Sequence, residues 1–188
     1  MHIRNRFNKR AKPKSLEEIA AALSFISWKI ASHAVLEIEN QGFKTTSNAH
    51  RLQIASEFLI FLLQVSDRLS VIYLEEQERS PFVTMLALRT AEIIADNQRD
   101  LLKEEGHYRE AFIERLNQRA NDYAELSFND NHPGFDFLRY FGEQVAITLS
   151  GERWVSEYVV DVLGPEATHD LQRSFVNLLN HPRTDNEC

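Results

Sequence analysis

Phe58-Leu59-Ile60-Phe61-Leu62-Leu63, followed by Gln64-Val65, is the richest apolar run in the chain. Wound as a helix it is hydrophobic on every side, and such a helix belongs at the buried centre of a bundle. The run falls far short of the ~20 residues that span a bilayer. The helix that carries it is expected from about Ser47 to Glu78, and its neighbours in sequence read as its packing partners.

Upstream, Ser15-Leu16-Glu17-Glu18 offers a hydroxyl cap and a carboxylate three residues on, the reciprocal arrangement of a capping box. Leu16, Ile19, Leu23, Ile26 and Ile30 then alternate spacings of three and four. That lines them along one face of a first helix to about Asn40, with Gly42 as its left-handed stop. Downstream, Ser80-Pro81 reads as a restart, because proline is tolerated in a first turn. The third helix turns Val83, Leu86, Ile93, Ile94 and Leu101 inward and ends near Gly106.

A fourth helix, from about His107 to Leu126, shows the stripe Phe112, Leu116, Ala120 and Tyr123 opposite a polar face. Residues 128–134 are dense in turn-formers, with Pro133-Gly134 suited to the centre of a type II turn. A fifth helix carries Phe135, Leu138, Phe141 and Val145. Ser150-Gly151 breaks the chain before a helix from Trp154 to Leu163, where β-branched residues compete with the helical reading. Gly164-Pro165 breaks it again before a last helix through Leu171, Phe175, Leu178 and Leu179. The expectation is all-α: a single-domain bundle of six or seven helices over residues 15–180, a short, flexible basic arm at 1–14 and a C-terminal tail at 181–188.

A chain of 188 residues can bury a core without a disulfide or metal to hold it. Its one cysteine, Cys188, excludes a disulfide framework and a cysteine-rich zinc site. No apolar core follows the N-terminal charges, so no secretory signal is read there. The longest uncharged stretch is Ile19 to Trp28. A cytoplasmic protein with no transmembrane segment is expected. The net charge of −7 is unevenly spread. Arg4, Arg6, Lys9, Arg10, Lys12 and Lys14 stand without an acid in the first 14 residues, and the other 174 hold 15 basic and 28 acidic side chains.

Several constellations could carry chemistry. Glu104 to His107 and Glu166 to His169 have the Glu-x-x-His spacing with which carboxylate-bridged di-iron bundles point two ligands inward. Gly106 interrupts the first, and the inward face of the last helix passes His169 by. Glu57 and Glu92, the acids nearest to completing such a site, sit among polar neighbours. His169-Asp170, with His132 before and Asp185 after, has the order of a metal phosphohydrolase series on one common dipeptide. Glu92 and Asp96 are four apart, but Arg89, Arg99 and Lys103 share their face, as on a salt-bridged exterior. Glu75, Glu76 and Glu78 would end the second helix, where the helix dipole disfavours acids. No metal site and no cofactor is read from these residues. No glycine-rich phosphate loop and no nucleophile elbow occurs.

His33 and Glu37 continue the first helix's seam and could line a polar cavity, unless the stripe drifts to Ala34 and Ile38 and leaves His33 at its edge. Phe135, Phe137, Tyr140 and Phe141 crowd one helix on more than one face, as an interface would require, and Gly142 allows a close backbone approach. The six cations of the arm could contact phosphates. The function expected is that of a non-catalytic helical interaction or adaptor protein, self-associating or bound to a protein partner. A small-molecule-binding or metal-dependent bundle around His33 and Glu37 is the alternative, and nucleic-acid binding through residues 1–14 a further one.

Overall fold

The computed structural model describes residues 14–103, 105–149 and 153–179. Its helices are α1 (Leu16–Asn40), α2 (Asn48–Tyr73), α3 (Glu76–Leu102), α4 (Tyr108–Ala124), α5 (Phe135–Thr148), α6 (Arg153–Tyr158) and α7 (Gly164–Leu179). The all-α bundle is thus what the chain forms. The arm, apart from Lys14, and the tail lie outside the described residues, as does the break expected at Ser150-Gly151.

α2 is the centre. It packs against α1, α3, α4, α5 and α7. Phe58 to Leu63 are all buried. Ion pairs at the turns, Glu39 with Arg51 and Asp67 with Arg79, clamp α1, α2 and α3 into an up-down-up arrangement. Phe43 stacks on Trp154 beyond the end of α1, while Phe175 meets Tyr73 and Phe82 at the α2–α3 junction. The chain from 153 to 179 therefore runs antiparallel to α1, which it flanks.

The capping box forms at α1: Glu18 N–H donates to Ser15 Oγ and Ser15 N–H to Glu18 Oε2 at 2.8 Å. Gly42 stops the region with φ +94°, a conformation that glycine adopts without steric cost. By length and composition α1 could cross a membrane, since only Lys29 is charged between Ile19 and Leu36. A reading by uncharged stretches alone misses this.

Three boundaries differ from expectation. The second helix ends at Tyr73, not Glu78, and α3 begins at Glu76 rather than at the Ser80-Pro81 restart. Leu74 turns extended and buries its side chain, and Glu78 accepts from the Glu75 amide. Glu75, Glu76 and Glu78 thus lie at a helix N-terminus, where the dipole favours them, and Pro81 sits inside the helix. The turn after α4 is a hairpin of β1 (Phe128–Asn129) and β2 (His132–Pro133), and its centre is Asp130-Asn131, not Pro133-Gly134. Both residues have positive φ, as a type I′ turn demands. Gly134 instead caps α5.

The third difference is at Gly164-Pro165, where no break occurs. α6 continues through a π-helical stretch, Val159–Leu163, straight into α7. Gly164 N–H donates to Val159 O, five residues back. Pro165 lacks an amide and would clash with the carbonyl four residues earlier in a regular helix. The widened turn before it accommodates the ring, so the helix bends its hydrogen bonding instead of ending.

Candidate functional site

α1 contacts α2, α3 and α7. It buries Ile19, Leu23, Ala31, Ala34, Val35 and Ile38 against them. Leu16, Ile26 and Ile30 of the expected seam are only half-buried, because the stripe drifts across the helix as 3.6 residues per turn requires. The face left over is apolar as well. Phe25 is 52% and Leu36 55% exposed, eleven residues apart and therefore on one line, with Lys29 between them. Lys29 Nζ sits 4.7 Å over the Phe25 ring. Past the helix end, half-exposed Trp154 stacks on Phe43.

The charges along α1 are not balanced. Glu17 pairs with Arg89 at 3.2 Å and Glu39 with Arg51 at 2.6 Å, while Glu18 is held in the cap. The Arg51 hydrogen bond, helped by Thr45, holds Glu39 below the usual glutamate range. Lys14, Lys29 and Lys44 make no ion pair among the described residues.

His33 lies at the edge of the stripe, its side chain 74% exposed, and its Nε2 is 3.9 Å from Glu37 Oε1. It is no core histidine. It lines an open groove of about 670 Å³ between α1 and α7, with Lys29, Ile30, Leu163, Pro165 and His169 among the other walls. Two histidines thus line one groove, together with Leu163 from the end of the π stretch. No group of three metal-ligating side chains forms there or elsewhere among the described residues. Glu166, His169 and Asp170 are exposed, Glu92 pairs with Arg89, and Asp96 with Arg99. His132 is exposed in the hairpin, and Glu104 and Asp185 lie outside the described residues.

The aromatic helix buries Phe141 and Val145 as expected, but turns Phe137 inward in place of Phe135. Phe137 and Phe141 are fully buried, against Phe61, Phe58, Tyr123 and Phe128. Tyr140 is half-buried on Tyr123 and donates its hydroxyl to Asp122. Only Phe135, 71% exposed, offers surface to a partner. The inward register is Phe137, Phe141 and Val145, one step from the stripe through Phe135 and Leu138.

Glu57, expected among polar neighbours, is a buried acid of α2. It is 3% exposed and meets Arg119 at 3.4 Å and Arg115 at 3.8 Å, both from α4. Burial alone would lower the Arg119 pKa, but the charge and hydrogen bond of Glu57 outweigh it and raise it. Burial, with Glu57 nearby, pushes Tyr123 well up, and burial with the bond to Asp122 raises Tyr140 to about 12. The network clamps α2, α4 and α5 together, with Glu57 and Tyr123 buried and Arg115 and Asp122 at the surface.

Phe25, Leu36 and Lys44 escaped the sequence reading, although the near absence of charge around α1 was the available signal. Compared with models of known families, with curated proteins and with solved structures, the chain matches none.

Proposed function

We propose that this is a non-catalytic helical interaction protein whose docking surface is the outer face of α1. One observation carries the reading: a helix already packed on three neighbours still turns Phe25 and Leu36 to solvent on a common line. About 16 Å apart along the axis, the two side chains offer a partner apolar contacts at both ends of one helix face. The groups that could do chemistry are either exposed and singly paired, as His33 and His169 are, or tied into the ion pairs around Glu57. Self-association through the aromatics of α5 has Phe135 alone to rest on.

A photo-crosslinking residue placed at position 25, with a second variant carrying it at the exposed position 88 of α3, tests this in the native cells. Adducts at 25 and not at 88 support docking through α1, and their mass shows what covers it. A position 25 that yields none overturns the reading.

A second reading, a small-molecule site, is favoured by the groove between α1 and α7 that both His33 and His169 line. Ligand-dependent shifts of both imidazole resonances against a metabolite library would support it; unchanged resonances would remove it.

A further inference from the structure

A second groove lies away from α1, where α2, α3 and α4 meet. Its volume is about 380 Å³, within the range of small-molecule sites. It adjoins a more open hollow between α3 and α4, and the two share Leu88, Ile113 and Asn117. Small side chains make the gap. Thr84 and Ala87 line it from α3, and Leu116, Asn117 and Ala120 from α4, each set spaced by three or four residues along one helix face. Larger side chains at the two alanines would close it.

From α2 the groove is lined by Leu63, Gln64 and Asp67. Gln64 is the first polar residue after the buried run Phe58 to Leu63, and it is half-buried. Its amide, the Asn117 amide and the Thr84 hydroxyl make no hydrogen bond among the described residues. Of the described residues that line the groove only Asp67 is ionisable, and Arg79 holds it at 2.9 Å. The groove therefore offers apolar walls and free amides without a free charge.

That combination selects its ligand. A charged molecule would give up hydration with no free counter-charge to meet it. An aliphatic side chain of a partner protein would fill the gap but strip water from both amides and leave them unpaired. A flat, uncharged ring system with a donor and an acceptor side by side satisfies both requirements. Its faces meet Val83, Ala87 and Leu116, and its edge meets the amides, which read such a pair bidentately, as Asn and Gln read adenine.

We propose that the groove between α2, α3 and α4 binds an uncharged aromatic heterocycle of the nucleobase class, with Gln64 and Asn117 on its hydrogen-bonding edge. The site is separate from the α1 face and from the groove of His33 and His169. Glu110 and Glu114 against Arg109 leave the adjoining hollow net negative, which disfavours a phosphate. The ligand is thus a free base or nucleoside rather than a nucleotide or a strand.

Titration of the full-length protein with adenosine, followed through the side-chain amide resonances of Gln64 and Asn117, tests this. Both should shift saturably. Indole, a bicycle of similar shape without the neighbouring acceptor, should bind about tenfold more weakly, the worth of one hydrogen bond. Gln64→Leu should weaken adenosine by a similar factor at unchanged circular dichroism, and Ala87→Leu with Ala120→Leu should fill the groove and abolish binding. Saturable shifts with none of adenosine, guanosine, cytidine and uridine overturn the proposal. Equal affinities for adenosine and indole, or for the parent and Gln64→Leu proteins, also overturn it, as does binding retained in the filled variant. Tighter binding of adenosine monophosphate or oligoadenylate than of adenosine would overturn the free heterocycle as ligand.

Discussion

Arg119 reaches from α4 to the buried carboxylate of Glu57 on α2, Nη2 to Oε1 at 3.4 Å, and with Arg115 it is the counter-charge that lets an acid sit 3% exposed in the bundle. Removing one member of such a pair leaves an unpaired charge and typically costs about 3–5 kcal/mol, while replacing both by apolar groups is often close to neutral. Arg119→Met should therefore destabilise strongly, somewhat less than that range because Arg115 remains. Glu57→Leu with Arg119→Met should recover much of the loss. Urea unfolding of the two singles and the double gives the coupling, and additive losses would show that the pair does not act as one unit.

The phenols beside this clamp set the alkaline limit of the fold. Burial raises Tyr140 to about 12 from 10.0, and burial also pushes Tyr123 well up. The folded state thus holds its protons after the unfolded chain has released them. The stabilisation is complete below about pH 10 and is lost as pH rises from 10 toward 12 and beyond. Thermal unfolding followed from pH 8 upward, with tyrosinate absorbance, should show melting temperature falling across that window. Tyr140→Phe should flatten the fall.

Gly142 is where α5 meets α6. A Cβ there would lie 2.8 Å from the Ser156 carbonyl oxygen and 2.8 Å from Val160 Cγ2. Gly142→Ala gains up to about 1 kcal/mol of helix propensity, but the backbone oxygen cannot step aside, and overpacking of this kind costs about 1–3 kcal/mol. A net loss of stability is expected, and a larger one for Gly142→Val. A more stable Gly142→Ala protein would mean that the helices separate freely.

Pro165 is exposed, and the π stretch before it exists because that residue has no amide to give. Pro165→Ala restores the donor and removes the ring, so the stretch should relax toward α geometry and the protein should gain stability. Backbone carbon shifts over 159–165 and a rise in melting temperature would report it. If the shifts stay put, packing of Gly164, whose Cβ would meet Leu138 Cδ2 at 2.8 Å, holds the wide turn in place.

The bundle was legible because its main signals are local. The Ser15–Glu18 cap, the Gly42 stop and the unbroken run at Phe58 each act through nearest neighbours in the chain. The errors came where a tertiary contact outvoted a local preference. Leu74 is pulled into the core and moves a helix boundary five residues ahead of Ser80-Pro81; a widened turn carries the helix through Gly164-Pro165; Phe137 rather than Phe135 finds the Phe61 ring. Glu57 shows the same limit, since its burial depends on arginines 58 and 62 positions away. The face of α1 was missed because apolar residues also stand off its buried stripe, at Phe25 and Leu36, and spacing alone does not say which of them the neighbouring helices leave uncovered.

The position of α2 also bears on how the chain is made. Its apolar circumference is sealed by α1 before it and by α7 well after it, and Phe175 reaches Tyr73 only once about 100 further residues have left the ribosome. Until α7 arrives, the emerging polypeptide carries an open hydrophobic flank of the kind that makes partly folded species aggregate. Chains stalled or truncated before residue 164 should thus be clients of holding chaperones, and the last helix acts as a late lock on a core laid down by the second.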